Sequence, residues 1–164
     1  MSDERFEKIY NLYKLDVYRM SFSYTQNQTD AEDITQKVFI KLYNNIEKVK
    51  VSQEKIWLLK VTANECKNLF NMAWNKKKSN IRIEDLNISK EEKDYLLLYS
   101  SLQKVPRKYR IFIHLHYFYG YNMNEIANIL NMNINTVKTR LLRAKQILKL
   151  EMEGTNDEKN WRYL

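Results

Sequence analysis

Glycine, proline and cysteine are nearly absent from this sequence. Its 164 residues contain two glycines, one proline and one cysteine. Sheets joined by tight hairpins need glycine and proline at their turns, so this scarcity favours an all-helical fold. Cys66 has no second cysteine with which to form a disulfide or a CxxC motif, and its helical spacing predicts a small buried side chain. We therefore expect a reducing compartment.

Long apolar runs are missing as well. The longest, Ile111 to Tyr121, is interrupted by His114, His116 and Gly120. It is shorter than the roughly 20 apolar residues that cross a bilayer. No basic segment followed by an apolar core opens the sequence. We therefore predict a cytoplasmic protein without membrane insertion.

Patterns of catalytic and cofactor-binding residues are also lacking. The sequence has no glycine-rich phosphate loop, which argues against nucleotide hydrolysis. His114 and His116 lie on successive faces of an apolar stretch, with no acid or thiol beside them in sequence. This setting favours packed or groove-edge histidines over catalytic or metal-binding ones. We predict no enzymatic activity, no metal and no cofactor.

Positive charge is present in excess, and it is concentrated. The formal net charge is +8. Residues 104–150 carry nine basic side chains and one acidic one, Glu125, whereas residues 81–103 and 151–164 are each net acidic. The basic segment suggests a polyanionic partner, and a solvated basic surface is the alternative.

Apolar residues at steps of three and four predict two groups of helices. Helices are expected over about residues 3–24, from about residue 29 to 49, and from about residue 52 to the basic run at 76–78. Thr29 opens a Thr-Asp-Ala-Glu sequence that predicts a capping box with Thr29 as the N-cap. Residues 79–91 have no apolar periodicity and predict a linker. Pro106 and Gly120 mark the start and the end of a later helix.

Residues 122–149 predict a helix-turn-helix. Asn131 stands where the turn needs a residue that tolerates positive φ, and Ala127 is small where the two helices approach. Val137 and Leu141 repeat at core spacing. The remaining faces would meet a DNA groove, with a merely basic amphipathic helix as the alternative. The candidate DNA contacts are Asn135, Thr136, Lys138, Thr139, Arg140, Arg143 and Lys145, of which the arginines could reach base edges and the lysines phosphates.

Two further clusters of polar residues lie in the first half of the chain. One places acceptors at a helix start, where they suit either a basic partner or helix capping: Asp30, Glu32, Asp33 and Gln36. The other supplies the amides, ring and cations that a melted DNA strand requires, namely Asn64, Lys67, Asn68, Asn71, Trp74, Lys76, Lys77 and Lys78. A solvated helix end with Trp74 packed inward is the alternative for the second cluster.

Three ordered blocks resemble the extracytoplasmic-function (ECF) group of bacterial sigma factors. The block at 30–39, DAEDITQKVF, is similar to a region 2 block of that family, and the block at 57–64, WLLKVTAN, resembles the stretch that leads into promoter melting. Residues 105–110, 125–127 and 136–144 resemble region 4. Together these cover about residues 10–150. The sequence departs from the family pattern at Asn68, Phe70, Asn71, Tyr121, Asn122, Met123 and Asn135.

The resemblance implies an RNA polymerase sigma factor that directs promoter-specific initiation by binding core polymerase and the −10 and −35 promoter elements. It implies polymerase contacts at Asp30, Glu32, Asp33, Gln36 and Phe39. It also implies two small helical domains, at 1–78 and 95–152, joined by a linker at 79–94 and followed by a tail at 153–164. An anti-sigma protein commonly restrains such factors.

Two other functions stay open at this stage. A polymerase-independent helix-turn-helix regulator would be expected to carry a separate dimerisation stripe, and none stands apart from the core stripes. A protein that binds polymerase or an anti-sigma protein without DNA is a third hypothesis, and the basic second half argues against it.

Overall fold

The structure, a computed structural model, divides into two compact units, Met1–Ser79 and Asn80–Leu164. It describes the backbone of residues 1–72 and 101–153 and the side chains of residues 1–70 and 101–151. Over these ranges the regular elements are all helices, which confirms the predicted fold class. The predicted linker and the tail beyond Glu153 lie outside the described residues, as do Trp74, Lys76, Lys77 and Lys78.

The described part of the first unit, residues 1–72, consists of three helices: α1 (Ser2–Thr25), α2 (Gln28–Asn45) and α3 (Glu54–Met72). Their apolar stripes meet in one core, as the periodicity predicts. Its members include Val17, Met20, Ile34, Val38, Leu42, Leu58, Leu59, Ala63 and Cys66. Burial raises the pKa of the Cys66 thiol, helped by the negative charge of Glu65, so this cysteine is an apolar filler as predicted.

The turn between α1 and α2 corrects one prediction. Gln26 adopts a left-handed conformation, with φ of 52°, and ends α1. Asn27 is extended, and its Oδ1 accepts a hydrogen bond of 2.9 Å from the backbone N–H of Asp30. Asn27 is therefore the N-cap of α2, and the prediction of Thr29 was wrong. Because α1 ends at Thr25 and α2 already begins at Gln28, Thr29 lies within the first turn of α2 and not before it.

Arg5 ties the ends of the three helices of the first unit together. Its Nη1 donates to the carbonyl of Ile46 at 2.8 Å, and its Nη2 donates to the carbonyl of Val49 at 2.7 Å. The same Nη2 bonds Oε1 of Glu54 at 3.0 Å, in the first turn of α3. One side chain of α1 thus fixes the connection between α2 and α3.

The second unit contains α4 (Arg107–Ile113), α5 (Met123–Leu130) and α6 (Ile134–Glu153). A π-helical segment at His114–Phe118 continues α4 without a break. The described core is built from one side of each helix. It includes Leu102, Phe112, Ile113, Leu115, Ile126, Leu130, Val137, Leu141, Ala144 and Leu148.

The turns of the second unit follow from their residues. Gly120 has φ of 69° where the π-helical segment ends, as predicted for a C-terminal cap. Asn122 and Glu125 form a capping box at the start of α5, with reciprocal bonds of 2.9 and 2.8 Å. Asn131 takes the predicted left-handed conformation, with φ of 51°, and ends α5. The helix-turn-helix is therefore α5, a short turn and α6.

Arg110 is buried beneath the segment that precedes α4. Its Nε donates to the carbonyls of Leu102 at 2.9 Å and Val105 at 2.7 Å, and its Nη2 donates to the carbonyl of Gln103 at 2.9 Å. The residue is only 3% exposed. A buried guanidinium needs several acceptors to offset its desolvation, and here backbone carbonyls supply them.

Candidate nucleic-acid and polymerase interfaces

Helix α6 has one apolar face and one polar face. Val137 and Leu141 are buried against the rest of the unit, as predicted. The exposed face carries four of the predicted DNA contacts: Asn135, Lys138, Thr139 and Arg143. At the start of α6, the backbone N–H of Asn135 donates to Oδ1 of Asn133 at 2.8 Å. The Asn133 side chain therefore satisfies one of the free backbone N–H groups at the start of α6.

The other three predicted contacts, Thr136, Arg140 and Lys145, lie half-buried at the flanks of α6. The Arg140 guanidinium lies 5.9 Å from the centroid of the Phe112 ring. The Lys145 ammonium lies 5.6 Å from the centroid of the Tyr117 ring. These cations are supported by aromatic rings of α4 and the π-helical segment, which the sequence did not predict.

Leu142 is a member of the exposed α6 face that sequence reasoning missed. Its side chain is 59% exposed, between the polar Thr139 and Arg143 along the helix. The helical phase of Val137 and Leu141 could have identified it, since position 142 falls opposite that core stripe.

The acidic face of α2 is only partly exposed. Glu32, Asp33 and Gln36 are exposed, whereas Asp30 is 8% exposed and Phe39 is 4% exposed. The Phe39 ring packs against the Tyr10 ring of α1, with centroids 4.8 Å apart. The predicted polymerase set therefore divides into three surface residues and two inner ones.

Two exposed apolar residues extend the α2 face. Ile40 is 60% exposed and Tyr43 is 54% exposed. They follow Gln36 at helical spacing, and the Phe6 ring meets the Tyr43 ring edge-on at 5.4 Å. The outer side of α2 is therefore acidic near its start and apolar near its end. The spacing from Gln36 is the sequence signal that could have revealed this continuation.

Helix α3 carries a polar stripe along its second half. Asn64, Lys67 and Asn68 are exposed and share one side of the helix, because they are three and four residues apart. The side chain of Asn71 lies outside the described residues. Ala63 and Cys66 on the opposite side are buried. The predicted contacts to a melted DNA strand whose side chains the structure describes therefore lie together on one side of α3.

Other kinds of site receive no support from the described residues. His114 is buried with its ring centroid 5.0 Å from that of Phe118, and Nδ1 of His116 lies 2.9 Å from the carbonyl oxygen of Tyr121. Among the residues that the structure describes, no group of His, Cys, Asp or Glu could hold a metal. None of the described helices is long and apolar enough to cross a bilayer.

Comparisons with known proteins connect both units to one family. The family model of sigma-70 region 2 matches residues 9–76, and that of sigma-70 region 4 matches residues 95–148. The sigma factor SigV of Bacillus subtilis is 32% identical, over 85% of this chain and 86% of SigV. The ECF sigma factor SigM of the same bacterium is 32% identical, over 93% of this chain and 98% of SigM.

Solved structures show the same fold at lower identity. CnrH, in complex with the cytosolic domain of CnrY, matches with a TM-score of 0.67 at 17% identity. The match covers 93% of this chain and 90% of CnrH. The sigma factor RpoE from Bartonella quintana, in complex with the anti-sigma factor NepR, matches with a TM-score of 0.71 at 19% identity. The match covers 92% of this chain and 98% of RpoE. With both sigma-70 regions matched in order, the chain belongs to the ECF sigma factors of the sigma-70 family, which act with RNA polymerase in transcription initiation.

Proposed function

We propose a division of labour between the two units of this sigma factor. The first unit docks on core RNA polymerase and engages the melted −10 element, and the second binds the −35 element as duplex. One observation carries the proposal: two separate compact units expose helix faces of opposite character, acidic and apolar on α2, polar and basic on α6.

The polymerase dock is the outer face of α2. Glu32, Asp33 and Gln36 offer acceptors to a basic surface, and Ile40 and Tyr43 offer apolar area beside them. Such a combination of charged rim and apolar contact is typical of protein interfaces. Asp30 and Phe39 act from inside, by fixing how α2 packs against α1.

The polar stripe of α3 engages the melted −10 strand. Asn64 and Asn68 supply amides that can bond base edges, and Lys67 supplies a cation for the phosphates. The remaining members of this proposed set are Asn71, Trp74, Lys76, Lys77 and Lys78.

The exposed face of α6 enters the major groove of the −35 element. In this proposal the exposed Asn135 and Thr139 bond base edges, and the exposed Leu142 offers an apolar contact for a thymine methyl group. Lys138 gives affinity through phosphates without reading sequence. Arg140 and Lys145, supported on rings, flank this face.

The domain boundaries follow this division: 1–78 for region 2, 79–94 for the linker, 95–152 for region 4 and 153–164 for the tail. The division of the chain into compact units after Ser79 supports it. The protein acts in the cytoplasm beside its polymerase, without enzymatic activity or cofactor of its own. CnrH and RpoE are both seen with a partner, CnrY and NepR. We propose that an anti-sigma protein restrains this chain too.

Reconstituted transcription tests the proposal. The full chain is mixed with core RNA polymerase and fragmented genomic DNA of the source bacterium, and transcript 5′ ends are mapped. Shared −35 and −10 sequences upstream of those ends are the expected result. A polymerase-independent regulator would instead bind duplex DNA alone and yield no transcript. Polymerase binding without specific transcripts would identify a decoy.

A further inference from the structure

The charge of the chain reverses sign near the end of α6. Residues 134–150 contain five basic side chains and no acidic one, whereas residues 151–158 contain four acidic side chains and no basic one. Beyond them the sequence places Trp161, Tyr163 and Leu164 close together. A tail that is first acidic and then aromatic therefore follows directly on a basic helix.

The exposed surface of α6 has a composition that complements this tail. Leu142 and Leu150 are 59% and 68% exposed. Gln146 between them is exposed as well, so the three form one row at steps of four residues. Arg143 and Lys149 are exposed on either side of this row. Apolar area flanked by cations suits a segment that carries both carboxylates and an aromatic ring.

The tail is long enough to return along this row. Helix α6 ends at Glu153, and the next residue is Gly154, the residue type that most often ends a helix and lets the chain reverse. Leu142 lies about 16 Å before the end of the helix, at about 1.5 Å per residue. The chain from Glu153 to Trp161 spans up to about 26 Å when extended, so the Trp161 ring can reach Leu142.

We propose that the tail folds back along this row in the free protein, with the Trp161 ring against Leu142. The carboxylates of Asp157 and Glu158 then face the flanking cations. The inference rests on the proposed role of α6, because Leu142 belongs to the face that we assign to the −35 groove. DNA and the tail therefore compete for the same side chains. The tail lowers the affinity of the free sigma factor for random duplex DNA, and a promoter complex displaces it.

The first test measures the affinity of the full chain for random duplex DNA at low salt, without polymerase. Asp157→Asn with Glu158→Gln should raise that affinity about 3-fold to 10-fold, which corresponds to a docked fraction of about two thirds to nine tenths. Glu7→Gln with Glu47→Gln neutralises two exposed acids of the first unit. This control makes the same change of net charge and should raise the affinity less than about 2-fold. Equal gains in the two variants overturn the proposal, because net charge alone would explain them.

A substitution without change of charge tests the apolar contact. Trp161→Ala should also raise the affinity for random duplex DNA, by about 2-fold to 5-fold, because the tail loses its contact with Leu142. Leu12→Ala, the control, removes an apolar side chain of α1 that is 61% exposed and should leave the affinity unchanged. If Trp161→Ala gives no gain, the ring does not hold the tail on α6 and the proposal is wrong.

A nitroxide label locates the tail without relying on DNA binding. Cys66 is buried, so a label should react only with the cysteine introduced by Asn160→Cys. The NMR signals of backbone amides near residues 138–146 should broaden, and an excess of duplex DNA should restore them. Leu142→Ser should reduce the broadening, because it removes the apolar contact of the Trp161 ring.

Two results of the labelling experiment overturn the proposal. Absence of broadening along α6 would mean that the tail lies elsewhere. Broadening in a mixture of isotope-labelled chains without nitroxide and nitroxide-labelled chains without isotope would identify a second copy of the chain as the occupant. If the chain binds neither polymerase nor DNA, the proposed function is wrong while the broadening still reports the docked tail, so the two failures are distinguishable.

Discussion

The two units hold their outward charges in different ways. On α2, Glu32 accepts a bond of 3.0 Å from Gln28 of the same helix, and Asp33 is exposed to water. On α6, Arg140 and Lys145 lie over rings supplied by α4 and the π-helical segment. Supported cations keep fixed positions, which suits phosphates at fixed spacing. Freely solvated acids suit the steering of a basic protein surface.

Each unit also contains an arginine that bonds backbone carbonyls, and the two arginines differ in how far they are exposed. Arg5 of the first unit pairs with a carboxylate as well as two carbonyls, and its side chain is 27% exposed. Arg110 of the second unit is 3% exposed and bonds three carbonyls. The second unit therefore buries a guanidinium among backbone carbonyls, whereas the first leaves its arginine partly exposed beside a carboxylate.

Substitution of Arg110 should give the largest effect on stability. Arg110→Met removes the guanidinium donor from the carbonyls of Gln103 and Val105, while that of Leu102 keeps the Val105 N–H, and each buried carbonyl left without a donor costs about 1–3 kcal/mol before relaxation. We expect a loss of about 2–4 kcal/mol, confined to the second unit. Urea unfolding gives the magnitude, and hydrogen exchange resolved along the chain gives the location. Arg110→Lys should lose less, because it keeps one charged donor. A loss below about 1 kcal/mol would show that water replaces the guanidinium.

Charge reversal on α2 tests the acidic face. Asp33→Lys should weaken association with core polymerase about 10-fold, equivalent to about 1.4 kcal/mol, and should do so mainly through slower association. Glu47→Lys, an exposed reversal beyond the end of α2, is the matched control and should change association little. Rapid-mixing fluorescence with labelled protein measures both rates. Equal effects of the two reversals would mean that net charge, and not the α2 face, steers docking.

The fold was largely predictable because its signals are local. Gly120 and Asn131 are residue types that tolerate positive φ, and both turns formed where they stand. The start of α2 was not predictable from local sequence, because it depends on where α1 ends. Gln26 ends α1 with φ of 52°, although glutamine gives no sign of that conformation. Asn27 then takes the cap that Thr29 was predicted to form.

The site was less predictable because it depends on how helices rotate against each other. The block at 30–39 predicts a set of partner contacts, but its pattern does not say which of them are exposed: Asp30 is buried, and Phe39 is buried against the Tyr10 ring of α1. Arg140 and Phe112 lie 28 positions apart in sequence, and nothing local predicts that the guanidinium lies 5.9 Å from the ring centroid. Distant contacts decide which member of a motif faces outward.

Substitution of the helix caps should have a smaller effect on stability, of the same size in each unit. Asn27 caps α2 and Asn122 caps α5, each by accepting one backbone N–H at 2.9 Å. Asn27→Ala and Asn122→Ala should each cost about 1 kcal/mol, and the corresponding glycine variants only a few tenths. Each loss should appear in the hydrogen exchange of its own unit. The loss at Asn122 should also weaken −35 binding, since α5 supports α6. A loss shared by both units would contradict their independence.

The ion pair of Arg5 with Glu54 should give the smallest effect, and its pH dependence has a definite sign. Burial by itself would raise the pKa of Glu54, but hydrogen bonds from its own backbone N–H, from Arg5 and from the Ser52 backbone lower it below the ordinary 4.5. A carboxyl with a lowered pKa in the folded state stabilises the fold above its ordinary pKa. That stabilisation is lost as pH falls through the folded-state pKa.

Glu54→Gln should therefore destabilise the first unit by about 0.5 kcal/mol near neutral pH, a value kept small by solvent screening at this partly accessible pair. The difference from the unsubstituted protein should persist down to about pH 5 and shrink below about pH 4. Urea unfolding across that range measures it. Glu47→Gln, which removes an exposed carboxylate of the same unit, is the control. A difference that grows in acid would mean that Glu54 is protonated in the folded state, and that Arg5 holds the first unit through the two carbonyls alone.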